Sequence, residues 1–404
     1  MKPTFTNQGL LSKLYRIKRE KARTFKKKLI FMQTVQPFMS YPADIQQDKY
    51  EGKIARGQFF TRGRSWLKGQ VLSFIKKSGC RIAYDPFAGA GDLIHCSDEY
   101  GISDIAGLDI DPSLKWRLND SLVSIPHIDN SIIITNPPYL SSYSASRKKL
   151  MPAVRKYFEN TCYDDIYLVA LDRILAAQEY SVAIIPETFL NSGYRQMRRL
   201  DSITILEENP FNDTDVPVCV ACFDGRTKPL SEISVYKNND FFSDLGYVFG
   251  MRPVPCGDVP VRFNVLSGWL ALRGVDTTNP AEKIRFGLKE DFSYDWQKGI
   301  KHTSRLLTLI QIDVRHEDRK RFILECNVIL EDLRKKSGDI ILSPFKGNMK
   351  DGKRRRRLDY RAARAIMEQA WHKIYGGNDC PVQGYCFCVK AEKQTKLFCK
   401  HIRI

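Results

Sequence analysis

The sequence predicts an α/β fold, a doubly wound and mostly parallel sheet with an antiparallel hairpin at its edge, followed by a C-terminal α+β domain. Three observations predict it. Short apolar runs alternate with helical patterns through the centre of the chain. The last two of those runs stand too close together for a crossover helix. Beyond about residue 230 the alternation loosens and the charge rises.

The apolar runs mark strands over Arg81–Tyr84, Ile105–Leu108, Ile132–Thr135, Val182–Pro186, Ile203–Leu206 and Val216–Phe223. Of the segments between them, Asp164–Glu179 is the clearest helix. Its residues Ile166, Val169, Ala170, Arg173, Ile174 and Ala177 fall on one largely apolar face. The loop Glu207–Asp215 makes the final two strands a hairpin. Further on, Lys320–Lys336 and Tyr360–Tyr375 read as helices. They enclose a Gly-bearing loop, Lys346–Arg357, that ends in Arg354-Arg355-Arg356-Arg357. The organisation expected is a basic N-terminal arm over 1–50, a central domain over 51–230 and a second domain over 231–404. No internal repeat of fixed period is visible.

The chain has 404 residues, 43% hydrophobic and 27% charged, enough apolar material for a real core. No apolar run approaches the roughly 18 residues of a membrane span. The first 30 residues lack the apolar centre and cleavage site of a secretory signal, which predicts a cytosol-like compartment. Eleven scattered cysteines do not form a disulfide framework and are expected to be reduced. The net charge of +18 is unevenly spread. Residues 1–30 hold 10 basic and 1 acidic residue, residues 31–230 hold 22 and 24, and residues 231–404 hold 32 and 21. Basic ends flanking a nearly neutral centre fit a protein that grips a polyanion and does chemistry between its grips.

Three motifs carry the chemistry. Asp85-Pro86-Phe87-Ala88-Gly89-Ala90-Gly91 lies between a strand and a segment expected to be helical. Its glycines allow a tight turn and close approach of a ligand, and the helix N-terminus would offer free N–H groups. Gly107-Leu108-Asp109-Ile110-Asp111-Pro112 ends the next strand. Asp109, 18 positions after Gly91, can accept hydrogen bonds from ribose hydroxyls. Asp111 before Pro112 is placed to cap the following helix. The third motif, Asn136-Pro137-Pro138-Tyr139, follows an apolar strand. Two prolines remove two N–H donors and leave carbonyls free to accept from outside. Asn136 adds a side-chain carbonyl and Tyr139 a flat face, a set suited to holding an amino group.

Together these motifs resemble the gamma class of S-adenosylmethionine-dependent adenine-N6 DNA methyltransferases, in which cofactor motif, catalytic motif and target-recognition domain follow in that order. The resemblance covers roughly residues 52–225 and implies a Rossmann-like methyltransferase domain. It implies that Gln58, Phe59 and Thr61 of Gly57-Gln58-Phe59-Phe60-Thr61 fold over the cofactor, although Arg62 replaces the family's proline. It implies cofactor contacts from Asp85, Phe87, Gly89, Gly91, Asp109 and Ile110, and from Asp120 to the adenine amine. Pro186-Glu187-Thr188-Phe189-Leu190 is similar to the family's sixth motif. The catalytic set implied is Asn136, Pro137 and Tyr139, with Phe211 packing against a flipped-out base. The partner implied is double-stranded DNA, the setting a prokaryotic or phage restriction–modification system with a separately encoded endonuclease.

An RNA adenine-N6 methyltransferase, a glutamine-N5 protein methyltransferase and a non-enzymatic binding scaffold are the alternatives. The basic domain over 231–404 is expected to read DNA, with Lys353, Arg354, Arg355, Arg356 and Arg357 on phosphates. Arg195, Arg198 and Arg199 are further phosphate candidates. Cys380, Cys386, Cys388, Cys399 and His401 lack zinc-knuckle spacing, so no metal is expected, and no nuclease pattern is visible.

Overall fold

In the computed structural model, residues 64–159, 161–211, 215–296, 300 and 306–376 are described. The Gln58, Phe59 and Thr61 segment, the N-terminal arm and the C-terminal cysteine cluster lie outside them. The described chain forms two compact units, one of residues 70–183 and one of residues 64–69 and 184–376.

The first unit begins with α1 (Gly69–Lys77) and β1 (Ile82–Asp85), then α2 (Ser97–Tyr100), β2 (Asp104–Asp109), β3 (Arg117–Leu118) and β4 (Ser131–Thr135). It continues with α3 (Ser142–Arg147), α4 (Met151–Phe158), α5 (Ile166–Ala177) and β5 (Ser181–Pro186), within which the chain enters the second unit. The strands run parallel in the order β3-β2-β1-β4-β5. This is the mostly parallel sheet that the alternating pattern predicts. All five residues of β4 are buried, as a strand covered on both faces requires. Helix α5 is buried on more than one face, including Tyr167, Leu168, Leu171 and Leu175. Arg173, assigned to its apolar face by the sequence, is exposed and donates to the Leu122 carbonyl.

One expected element is absent. Gly91 is followed by turns and the single-turn α2, not by a long helix. Asp92–Cys96 close local turns, with the His95 amide donating to the Gly91 carbonyl across 2.9 Å.

The second unit carries β6 (Leu200–Ile205), β7 (Val218–Phe223), β8 (Ser234–Lys237), β9 (Asp240–Asp244) and α6 (Leu245–Gly250). The expected hairpin of β6 and β7 is antiparallel, yet β6 is no edge: β8 pairs with it in parallel and β9 follows. These two strands are only partly buried, so they lack the apolar runs that mark the others. The remaining strands are β10 (Val261–Phe263), β11 (Leu270–Arg273), β12 (Arg285–Leu288) and β13 (Leu307–Ile312), which form an antiparallel sheet in the order β10-β13-β11-β12. Helix α7 (Arg319–Ser337), hairpin strands β14 (Ser343–Asn348) and β15 (Arg354–Arg357), and α8 (Tyr360–Tyr375) complete it. Both long helices lie where their sequence periodicity puts them. Among the described residues no helix is long and apolar enough to cross a membrane.

Candidate functional site

Parallel strands in the first unit point their carboxyl ends one way, and the three motifs sit on those ends. This is where open α/β sheets bind ligands. Register makes the adjacency concrete. Asp85, last in β1, pairs with Gly107 in β2, while Tyr84 pairs with Ile133 in β4.

Asp85 is 2% exposed. Its Oδ1 accepts the Phe87 amide at 2.9 Å and the Thr135 hydroxyl at 2.6 Å. Burial pushes its pKa up to about 7, against those two hydrogen bonds, and the nearby Asp109 charge pushes the same way. A buried carboxylate of this kind gains most from a cationic neighbour.

The glycine turn is built for close approach. Gly89 and Gly91 adopt φ of 52° and 86°, a region that disfavours side chains. A Cβ on Gly91 would come within 2.6 Å of His95 and 2.9 Å of Trp116. A Cβ on Gly107 would come within 2.4 Å of the Trp116 ring. The Trp116 indole therefore lies against both glycines, and its Nε1 donates to the Gly89 carbonyl at 2.8 Å. The Gly89 amide in turn donates to Asp109 Oδ2 at 2.8 Å. Asp109 Oδ1 accepts the Asp111 amide at 2.9 Å. Each Asp109 oxygen keeps acceptor capacity beyond these bonds. Half-buried Ile110 follows. Asp111 caps the next turn through the Ser113 amide, with Pro112 at its first position, as the sequence predicts.

Asp120 is 4% exposed, and its Oδ2 accepts from Lys156 Nζ and from the Tyr157 hydroxyl, both at 2.9 Å and both on α4. Asn136, Pro137, Pro138 and Tyr139 leave β4 directly after Thr135. The Asn136 side-chain oxygen and Pro137 are buried. The Tyr139 ring stands edge-on to Tyr167 of α5, with centroids 6.4 Å apart. The first unit thus gathers Asp85, Phe87, Gly89, Gly91, Asp109, Ile110, Asp120, Asn136, Pro137 and Tyr139 around the carboxyl ends of its strands. Phe211 belongs to the second unit, where it is 5% exposed. Sequence reasoning missed Trp116, Thr135, Lys156 and Tyr157. Only Trp116 carried a signal, as a large aromatic in an otherwise polar stretch between two motifs.

Of the residues expected on phosphates, Arg354, Arg355 and Arg356 are engaged within the protein. The expected loop is the hairpin β14–β15, and the side chains of Arg354, Arg355 and Arg356 bond protein groups. Arg356 is 4% exposed and pairs with buried Glu187 at 2.5 Å. Arg354 lies 3.7 Å from Glu187 and donates to the Leu206 carbonyl. Arg355 donates to the carbonyls of Asp276 and Lys346. Lys353 alone extends a mostly exposed side chain. The physical reason is Glu187 together with Asp276, which accepts the Arg356 amide and a bidentate Arg334. Buried carboxylates demand such partners, and a sequence cannot show which arginines answer. Cys219 and Cys222 are buried in β7, and the apolar setting raises both thiol pKa values. No metal-binding group occurs among the described residues.

No family profile matches the chain, and no curated protein matches it. Among solved structures, the type I restriction–modification methyltransferase subunit from Streptococcus thermophilus is similar at 16% identity and a TM-score of 0.33. That match covers 45% of this chain and about half, 48%, of the subunit. The M protein of the EcoKI type I restriction enzyme is similar at 14% identity and a TM-score of 0.33, over 75% of this chain and 76% of that one.

Proposed function

We propose that the protein is a site-specific DNA methyltransferase that transfers a methyl group from S-adenosylmethionine to the N6 amine of a flipped-out adenine. The observation that carries this reading is the bond between Thr135 and Asp85. It ties the strand end bearing Asn136-Pro137-Pro138-Tyr139 to the strand end bearing the glycine turn, so an amine-holding motif and a nucleotide-holding motif share one rim.

The residues present fit the cofactor. The left-handed turn at Gly89 and Gly91, the acceptor Asp109 and the buried acid Asp120 suit a nucleoside. Asp85 suits the cationic amino-acid part. When bound, the cofactor supplies a methyl group activated by a sulfonium. The chain's own residues do the rest. The Asn136 side-chain oxygen and the Pro137 carbonyl accept the hydrogens of the target amine. That draws electron density onto its nitrogen and lets it leave the ring plane. No strong base is required, and the proton departs to water late. Tyr139 offers a face on which a flipped base stacks. Rate comes from positioning and fixed dipoles.

Incubating the full chain with methyl-labelled S-adenosylmethionine and, separately, duplex DNA, RNA or protein tests the proposal. Label recovered as N6-methyladenine in duplex DNA is the expected result. Label confined to RNA adenine or to a glutamine amide would move the reading to those substrates. Cofactor binding without any transfer would leave a nucleic-acid-binding scaffold.

A further inference from the structure

With Arg354, Arg355 and Arg356 engaged by protein groups, the question is where a polyanion meets this protein. Between Asp129 and Glu159 the chain has no acidic residue and five basic ones, Arg147, Lys148, Lys149, Arg155 and Lys156. Residues 31–230 as a whole hold 22 basic against 24 acidic residues, so this stretch is a positive island in a neutral region. It follows directly on Asn136–Tyr139. Its five basic residues are all exposed, and Tyr143 within it is 73% exposed.

The segment is held in place. Leu140, Ala145, Leu150 and Ile166 form a buried cluster against which Met151, Val154, Tyr157 and Phe158 pack. The Ser142 amide donates to the Asp164 carbonyl at 2.8 Å, and the Ile166 amide to the Leu140 carbonyl at 3.0 Å. Lys149 takes a left-handed φ of 59° and turns the chain between α3 and α4. The side chains are thus presented from a fixed support beside the catalytic motif. Pre-positioned cations with an exposed ring fit a phosphodiester backbone.

We propose that the α3–α4 segment, through Arg147, Lys148, Lys149 and Arg155, is a phosphate-binding surface that seats duplex DNA next to Asn136–Tyr139. This rests on the nucleic-acid reading of the site. It assigns phosphate binding to the catalytic unit itself. Binding to phosphates supplies affinity and register without sequence information, so a duplex of arbitrary sequence is a sufficient probe.

The test compares the full chain with the variant Arg147→Gln, Lys148→Gln, Lys149→Asn, in which asparagine tolerates the left-handed turn. A 30-base-pair duplex is titrated by fluorescence anisotropy at several salt concentrations. Each phosphate that the variant no longer neutralises lowers the slope of log K against log salt by about 0.9, so a fall of about 2 to 3 is expected. Affinity at low salt should fall at least about tenfold. S-adenosylmethionine affinity, measured in parallel, should stay the same and show that the variant is folded. A control variant, Lys76→Gln with Lys77→Gln on α1, should keep the parental slope. An unchanged slope and affinity in the triple variant would overturn the surface while leaving the site reading intact. A parent chain that binds no duplex would overturn both. Binding of RNA in place of duplex would overturn the commitment to DNA.

Discussion

The Thr135 hydroxyl donates to Asp85 across 2.6 Å, joining residues 50 apart in sequence at the ends of two adjacent parallel strands. The bond gives a buried carboxylate one of its few partners, and burial still holds that group well above the usual carboxylate range. Thr135 is itself fully buried.

The first prediction concerns pH. Asp85 has a folded pKa of about 7, above its unfolded value of about 3.9. The folded chain therefore binds this proton more tightly than the unfolded one. The contribution to stability is complete below about pH 4 and is lost as pH rises through about 7. Asp85→Asn should flatten this part of the stability profile, read as melting temperature between pH 4 and 8. A cationic ligand beside Asp85 favours the ionised form. S-adenosylmethionine affinity should then rise with pH between 5.5 and 7, by up to about tenfold per unit. A flat calorimetric profile over that window would remove Asp85 from the cofactor site.

The second prediction concerns the space around Trp116. Gly107→Ala puts a methyl group within 2.4 Å of its ring, and an overpacked core typically costs about 1–3 kcal/mol. The clash belongs to one pair, so Trp116→Ala should relieve it. A double-mutant cycle by urea unfolding should give a coupling of about 1 kcal/mol or more. Trp116→Phe keeps a ring and loses the N–H to Gly89. It should loosen the glycine turn and weaken cofactor binding several-fold, with milder loss of stability.

Six central strands, helix α5, the two long C-terminal helices and the rim of the candidate site are legible in the sequence for one physical reason. Parallel strands buried on both faces must be runs such as Ile132–Ile134, and helices such as Tyr360–Tyr375 must repeat their apolar positions. Asp109 and Asn136 can be singled out because strand-end positions follow from those runs. What stays hidden depends on three-dimensional pairing. The four arginines at 354–357 read as a charged loop because nothing local shows that Glu187, some 170 residues earlier, needs a cation. β8 and β9 escape notice because partly buried strands carry mixed residues. The helix expected after Gly91 extrapolates from the glycine turn, and that stretch closes local turns instead.

The third prediction follows from the inward arginines. Glu187 and Arg356 are both nearly sealed from water. Removing one partner of a buried ion pair leaves the other charge uncompensated, a loss of about 3–5 kcal/mol. Arg356→Met and Glu187→Leu should each destabilise the chain on that scale. The double replacement should recover much of the loss. Neutralising Lys353, which is largely exposed, should change stability by no more than about 0.5 kcal/mol. Equal, small effects at Arg356 and Lys353 in chemical denaturation would contradict the pairing.

The last prediction separates Asn136 from Tyr139. One offers an acceptor and the other a face, so their losses should appear in different kinetic quantities. Asn136→Ala removes an interaction that strengthens as the amine gains positive charge. It should cut turnover by about two orders of magnitude or more, with DNA and cofactor affinities close to the parent, the pattern of an interaction made chiefly in the transition state. Asn136→Asp keeps the acceptor but adds charge, and should retain more activity than alanine. Tyr139→Phe keeps the ring, including its edge packing with Tyr167, and should hold most of the activity. Tyr139→Ala removes the stacking face, worth about 1–3 kcal/mol for an aromatic platform, and should hold a flipped base poorly. A fluorescent base analogue at the target position reports that loss directly, and single-turnover rates at saturating cofactor report the chemistry. Near-parental single-turnover methylation by Asn136→Ala would show that the side-chain oxygen does not hold the reacting amine, and the catalytic role would have to pass to the backbone carbonyls of the proline pair.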